Sequence, residues 1–169
     1  MAFLDGWRFC PRCGSPADHR GDHVACPGCG YVVWSNSVPG VEAVIWRDGR
    51  ILLARRAGEP GEGLWDLPGG FPHEQEEPLV ALDREVREET GLALADVSLL
   101  GIWIEPDYAG RAVFCVTYDA TAGGGEAVAE DDVAELRWVL PSELPPDEDF
   151  AFVHTPAALR LSRARHEHA

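Results

Sequence analysis

Apolar residues recur at helical spacing near the middle of the chain. Leu79, Leu82 and Val86 are three or four positions apart, which predicts one core-facing stripe on a helix. Pro78 is favoured in the first turn of a helix, and Gly91 stands where a left-handed C-terminal cap is expected. The pattern therefore predicts a helix that begins near Pro78, ends before Gly91 and packs on a core.

Short apolar runs elsewhere predict strands. They cover residues 41–46, 51–55, 97–104, 112–118 and 135–139. Asp48-Gly49 predicts a tight hairpin between the first two strands. A short helical turn is expected at 141–144 and a closing helix at 155–165, with Thr155 as N-cap and Pro156 at its first position. Strands around one helix, followed by a terminal helix, predict an α/β fold with a mixed sheet between helices.

Three carboxylates occupy one face of the predicted central helix. Glu85, Glu88 and Glu89 stand at positions i, i+3 and i+4, so their side chains are neighbours. Like charges at this spacing repel one another, whereas Mg²⁺ or Mn²⁺ between them reverses the sign of the interaction. Gly69 and Gly70 permit a sharp backbone turn before the helix. The pattern favours a divalent-metal site over the alternative, a charged helix that simply faces water.

The sequence around this helix resembles the signature of a known family. From Gly70 to Leu92 it follows the pattern Gly-x5-Glu-x7-Arg-Glu-Val-x-Glu-Glu-x-Gly-Leu, which resembles the Nudix box at every signature position. Gln75 stands where many members have glycine, which we interpret as an altered loop. The resemblance implies an α/β/α Nudix sandwich over roughly residues 40–165. It also implies hydrolysis of a nucleoside diphosphate linked to another group X, assisted by Mg²⁺ or Mn²⁺.

The resemblance also implies roles for individual residues. Glu85, Glu88 and Glu89 would hold the metal together with the backbone carbonyl of Gly70. Arg84 would orient a neighbouring glutamate, either Glu76 or Glu88, and Glu76 itself would be structural or a more distant ligand. The general base is left open between this helix and a later acidic loop. The carboxylates of that loop are Glu126, Glu130, Asp131, Asp132 and Glu135.

Four cysteines near the N-terminus form two Cys-x-x-Cys pairs. Cys10 and Cys13 are followed, after twelve residues, by Cys26 and Cys29, which is the spacing of a four-thiolate zinc ribbon. Disulfides or redox pairs are the alternatives. Four sulfur ligands leave no open coordination position, so we expect this Zn²⁺ to be structural. A fifth cysteine, Cys115, lies in an apolar run and is expected to be a buried, inert thiol.

Composition limits the class of protein. The 169 residues carry a formal net charge of −15, which argues against binding to a nucleic-acid backbone. No apolar run is long enough for a membrane span, and no secretory signal is found at the start, so we expect a cytoplasmic location. We divide the chain into a zinc ribbon and linker (residues 1–38, with 31–39 as connecting segment) and a Nudix domain (39–169). A monomer and a homodimer both remain open.

A zinc ribbon before a Nudix domain resembles the NADH pyrophosphatases and, more closely, the short zinc-ribbon Nudix hydrolases, which include FAD pyrophosphatases. The Ser-Gln-Pro-Trp-Pro-Phe-Pro array of the first group is absent, whereas residues 145–153 resemble the acidic, proline-rich segment of the second. We therefore expect a small nucleoside-diphosphate substrate such as FAD, ADP-ribose or NADH. Candidate substrate contacts are Trp103, Tyr108 and Arg111. The alternatives are a triphosphate-cleaning pyrophosphohydrolase and a non-enzymatic nucleotide sensor, although a sensor has no need for the three glutamates.

Overall fold

A small antiparallel sheet forms around the four cysteines in the computed structural model, which describes residues 4–167. Its strands are β1 (Asp18–His19), β2 (His23–Ala25) and β3 (Val32–Trp34), in the order β1-β2-β3. β3 lies inside the segment that we interpreted as a linker. The ribbon strands therefore extend almost to the main domain, whose first strand begins at Val38.

The main domain is built on a seven-stranded mixed sheet. Its strands are β4 (Val38–Arg47), β5 (Arg50–Arg56), β6 (Trp65–Asp66), β7 (Gly69–Gly70), β8 (Leu94–Tyr108), β9 (Arg111–Ala122) and β10 (Val133–Val139). The central order is β10-β5-β4-β9-β8, with β6 beside β5 and β7 beside β4. Among the strand pairs of the described chain, only β4–β9 is parallel. All five predicted strands lie within observed strands, and β8 and β9 are longer than predicted.

The β4–β5 hairpin turns at the predicted dipeptide. Asp48 and Gly49 have φ angles of 50° and 72°, and Arg47 pairs with Arg50 across the turn. Positive φ at both central residues is the requirement of a two-residue hairpin turn of this kind.

Two helices cover opposite faces of the sheet. α1 (Pro78–Thr90) packs Leu82 and Val86 against β4 and β5, whereas α2 (Thr155–Glu167) packs Ala158 and Leu159 on the other face. Gly91 ends α1 with φ of 69°, and its N–H donates to the Arg87 carbonyl. Between 4 and 167, neither helix is long and apolar enough to cross a membrane. The predicted α/β/α arrangement is confirmed.

Two local predictions are wrong. Leu79 is 53% exposed, because burial on α1 begins only at Ala81 and packing does not extend to the first turn. Thr155 is the first residue of α2 instead of its cap, and its buried hydroxyl has no hydrogen-bond partner. The carbonyl of His154 accepts the first backbone bonds, from Ala157 and Ala158.

Candidate active site

A cavity of about 370 Å³ opens where α1, β7 and the loop before α2 meet. Its lining is rich in ionisable and aromatic side chains. These are Glu42, Arg56, Asp66, Phe71, His73, Glu85, Glu89, Glu105, Tyr108, Cys115, Asp131, Asp132, Phe152 and His154.

The C-terminal half of α1 supplies two carboxylates to the cavity, Glu85 and Glu89. Glu89 is only 7% exposed, and one of its oxygens accepts the backbone N–H of Gly69 at 2.9 Å. Burial, together with the negative charges of Asp132, Asp66 and Glu85, raises the pKa of Glu89 to about 9. Such crowded carboxylates are stabilised by a cation, so their chemistry fits a hard divalent metal.

Two glycines bring the backbone directly against these carboxylates. A Cβ on Gly70 would lie 2.5 Å from the carboxyl carbon of Glu85, and one on Gly69 would lie 2.2 Å from the Val41 carbonyl oxygen. Gly69 and Gly70 form the short strand β7 beside β4, so they permit close packing as well as a change of direction. Because these two residues have no side chains, the backbone of Gly70 lies beside Glu85. A metal ligand from the Gly70 carbonyl requires this closeness.

Arg84 connects the remaining glutamates of the motif. It donates from Nε and Nη2 to the two oxygens of Glu76, at 2.9 and 2.8 Å. Its Nη1 lies 2.9 Å from Glu85 and 3.1 Å from Glu88, and Nη2 also donates to the Phe71 carbonyl at 3.2 Å. The hydrogen bonds from Arg84 lower the pKa of Glu76 to about 2. Glu76 and Glu88 are not part of the cavity lining, but Arg84 contacts both of them as well as Glu85, which does line the cavity.

A second ionisable cluster was not found from the sequence. His154 Nε2 lies 3.1 and 3.2 Å from the oxygens of Glu42, and Nδ1 lies 3.3 Å from Glu105. Thr117 donates to Glu42 at 2.6 Å, and Val153 N–H donates to Glu105 at 3.0 Å. Burial disfavours the imidazolium, but the hydrogen bonds and charges of its carboxylate partners prevail and raise the pKa of His154 to about 9. The only signal in the sequence for this cluster was Glu42, an acidic residue inside the apolar run 41–46.

An aromatic wall closes another side of the cavity. Phe71, Tyr108 and Phe152 form a chain in which neighbouring ring centroids are 5.3 Å apart. The guanidinium of Arg56 lies 5.1 Å from the Phe152 ring centre and 5.8 Å from that of Tyr108. Flat rings beside a planar cation offer a surface on which a base can stack.

Arg56 is held in place by a buried ion pair. Its Nη1 donates to Asp66 at 3.0 Å, and its Nε donates to the Pro60 carbonyl at 2.6 Å. Burial and the nearby charge of Glu42 raise the pKa of Asp66 to about 7, against the opposing effect of Arg56. Asp66 is thus another carboxylate of this cavity that lacks sufficient positive charge around it.

The fold places the three predicted substrate contacts in different surroundings. Tyr108 lines the cavity, whereas Trp103 packs against the hydrophobic core on the α2 side and Arg111 pairs with Tyr108 across the β8–β9 turn. From the acidic loop, Asp131 and Asp132 reach the cavity.

The four N-terminal cysteines converge as the ribbon spacing predicts. The sulfurs of Cys10 and Cys29 are 3.8 Å apart, those of Cys13 and Cys26 are 3.5 Å apart, and all four lie within 4.8 Å of one another. The disulfide alternative is not observed, since a bond needs about 2 Å between sulfurs. Gly14 and Gly30 follow each pair at φ of 74° and 72°, which lets both knuckles turn toward one point. This donor set fits Zn²⁺.

Comparison with known proteins identifies the larger part of the chain. The sequence profile of the NUDIX domain matches residues 37–160. An ADP-ribose pyrophosphatase from Methanocaldococcus jannaschii is 35% identical over 116 residues, which are 68% of this chain and 69% of that protein. The NAD-capped RNA hydrolase NudC of Haemophilus influenzae (strain PittGG) is 30% identical over 98% of this chain. The match spans 65% of the NudC length.

A solved structure agrees with these matches. The MutT NUDIX hydrolase from Burkholderia pseudomallei superimposes with a TM-score of 0.68 at 34% identity, covering 75% of this chain and 98% of its own. The similarity therefore extends from sequence to fold.

Proposed function

The chain belongs to the Nudix family, a family of hydrolases, and on that basis we propose that it is a divalent-metal-dependent pyrophosphatase acting on ADP-ribose or a dinucleotide. Enzymes of this family generally use divalent metal ions.

The charge balance of the cavity carries the proposal. Seven carboxylates line it, against one arginine and two histidines. An anionic pyrophosphate is repelled from such a cavity unless cations enter with it. The raised pKa values of Glu89 and Asp66 are further signs that the protein itself supplies too little positive charge there.

The metal ligands in this proposal are Glu85 and Glu89 in the cavity, Glu88 beside it, and the carbonyl of Gly70. When bound, Mg²⁺ or Mn²⁺ supplies positive charge to the pyrophosphate oxygens and lowers the pKa of a bound water. The donor set is all oxygen, which is the preference of these ions.

The chain's own residues orient the reaction. Arg84 fixes Glu85 and Glu88 through one guanidinium, and the Gly69 N–H fixes one oxygen of Glu89. Water attacks phosphorus in line with the leaving phosphate oxygen, and a cavity carboxylate accepts its proton. Glu85, Glu89 and Asp132 are the candidates for this acceptor. Placement of these groups before substrate arrives reduces the entropy cost of reaching the transition state.

The substrate class rests on the relatives and on the aromatic wall. ADP-ribose and an NAD cap, which appear in the names of two relatives, both contain a pyrophosphate between adenosine and a second ribose. Binding energy from the part beyond the pyrophosphate can position the reacting phosphate. Tyr108, Phe152 and Arg56 offer aromatic and cationic contacts to a base, and the group beyond the pyrophosphate adds further binding energy that a triphosphate lacks.

A substrate panel tests this function. ADP-ribose, FAD, NADH, NAD-capped RNA and the nucleoside triphosphates are incubated with excess Mg²⁺, Mn²⁺ or EDTA, and the phosphate products are identified. We expect the highest kcat/KM for a dinucleotide or ADP-ribose, with cleavage inside the pyrophosphate and no turnover in EDTA. A triphosphate preferred by about tenfold, or 1.4 kcal/mol, would contradict the substrate class. Nucleotide binding without turnover would favour a sensor, and preference for capped RNA would contradict the predicted lack of nucleic-acid partners.

A further inference from the structure

Three potential metal donors converge in the second cluster of the cavity. One donor atom each from Glu42, Cys115 and His154 lies within 4.8 Å of the other two. The three residues are all buried, at 6%, 5% and 6% exposure respectively. The four ribbon cysteines show the same closeness of donor atoms. From this geometry we propose that Glu42, Cys115 and His154 form a second metal site, for a zinc-type divalent ion.

The ligand types select the kind of metal. One thiolate, one imidazole and one carboxylate are the donors that Zn²⁺ and similar borderline ions prefer, whereas Mg²⁺ takes oxygen ligands. Three protein ligands leave a fourth position open, unlike the four-cysteine ribbon. The site is therefore different in chemistry from both the carboxylates of α1 and the ribbon.

The surroundings of the ligands are already arranged for metal binding. A metal-bound histidine commonly donates its other ring N–H to a carboxylate, which fixes the ring orientation. Here Nδ1 of His154 faces Glu105 at 3.3 Å, which leaves Nε2 directed toward Glu42. Glu105 is in turn fixed by the Val153 N–H, and Glu42 is fixed by the Thr117 hydroxyl.

Two of the three ligands stand on paired strands, and an ion can reach all three. Glu42 and Cys115 lie on the paired parallel strands β4 and β9, where Gly40 is the register partner of Cys115 and Thr117 that of Glu42. All three ligands line the open cavity, which provides an entry path. Ligand identity, supporting contacts and access are thus all present.

Metal binding at this site releases two protons. Without metal, a charged His154 donates to Glu42 and the Cys115 thiol is neutral. One proton leaves Nε2 of His154 and one leaves the Cys115 sulfur to the buffer, while Nδ1 keeps its proton toward Glu105. The competing arrangement is a hydrogen-bonded ion pair that never binds metal. The experiment must distinguish this ion pair from the metal site.

Metal counting tests the site independently of catalysis. The full chain is dialysed against a slight excess of Zn²⁺ with saturating Mg²⁺, which occupies the oxygen ligands of α1, and bound zinc is then measured. We expect two zinc ions per chain. Cys115→Ser and His154→Gln should each retain one, and Cys13→Ser should also retain one because it loses the ribbon site instead. Glu105→Gln should weaken the second zinc by about 10- to 100-fold.

Cobalt provides a spectroscopic control on the unchanged chain. A second equivalent of Co²⁺ should add a thiolate charge-transfer band weaker than that of the four-cysteine site, and Cys115→Ser should remove it. A single zinc per unchanged chain overturns the proposal, even if the variants do not fold. So does a second zinc that persists in both Cys115→Ser and His154→Gln. Neither result affects the proposed pyrophosphatase activity, because no turnover is measured.

Discussion

Arg84 and Glu76 form a two-pronged ion pair, with Nε to Oε1 at 2.9 Å and Nη2 to Oε2 at 2.8 Å. The second amino group of the same guanidinium contacts Glu85 and Glu88. Paired charge-assisted hydrogen bonds fix geometry better than a single contact. One arginine thus determines where three carboxylates of the motif lie.

Arg84→Lys should therefore lower kcat by about tenfold or more, the cost of one lost charge-assisted hydrogen bond. Lysine keeps the charge but lacks the planar fork that reaches all three glutamates. The apparent Mg²⁺ affinity should fall as well. Arg87→Lys is the matched control, because Arg87 pairs only with exposed Asp83 among the contacts found, and it should leave both values unchanged. Equal effects of the two substitutions would show that Arg84 does not position the glutamates.

Glu89→Gln should lower kcat by roughly a hundredfold, the scale of removing one preorganised charge-stabilising group. Glu88→Gln should also lower it. Without added metal, Glu89→Gln should unfold at the same or a higher temperature at neutral pH, since the ionised Glu89 is disfavoured in its buried position. Glu77→Gln is the control at the start of the same helix, because Glu77 is the N-cap residue of α1 and its side chain makes no capping bond. Near-normal turnover of Glu89→Gln would exclude Glu89 from the reaction.

The raised pKa of Asp66 makes the folded state less stable as the pH rises. Its pKa is raised from 3.8 to about 7 on folding, so the folded state keeps a proton that the unfolded state loses. Its stabilising contribution is complete below pH 3.8 and is lost as the pH rises through about 7. Asp66→Asn should flatten the slope of unfolding free energy against pH in this window by up to about 1.4 kcal/mol per pH unit. Denaturant titrations without divalent metal measure it, and an unchanged slope would contradict the raised pKa.

The ribbon should depend on its metal for structure. Its strands are two or three residues long and bury few side chains, so metal binding must contribute folding energy. Cys26→Ser should lose one zinc per chain. Hydrogen exchange should then accelerate at the amides of Gly14 and Gly30, which donate to Cys10 and Cys26, while β4 stays protected. Retained protection in the ribbon would show that the ribbon folds without zinc.

Tyr108 and Trp103 should differ in their effects on substrate. Tyr108→Ala should raise KM for a dinucleotide by about tenfold, since stacking of one base contributes about 1–3 kcal/mol. Trp103→Phe should leave KM unchanged, because Trp103 packs on the core and its ring N–H has no hydrogen-bond partner to lose. If Trp103→Phe raised KM as much as Tyr108→Ala, the cavity would not be the base-binding surface.

Features set by neighbouring positions could be predicted from the sequence. The face shared by Glu85, Glu88 and Glu89 follows from helical periodicity, and the Asp48-Gly49 turn follows from the φ angles it requires. The meeting of the four cysteines follows in the same way from two short knuckles. These predictions involve few residues and little freedom of the chain between them.

Tertiary structure alone decided which groups face one another across the cavity. His154 and Glu42 are 112 positions apart in the chain. They meet because β4 pairs with β9 and the loop before α2 returns over the sheet. The exposure of Leu79 and the separation of Trp103 from Tyr108 have the same origin, since packing against distant segments fixes which side of an element is covered. Local spacing thus determined the chemistry of α1 and the ribbon, whereas long-range strand pairing determined the cavity in which that chemistry acts.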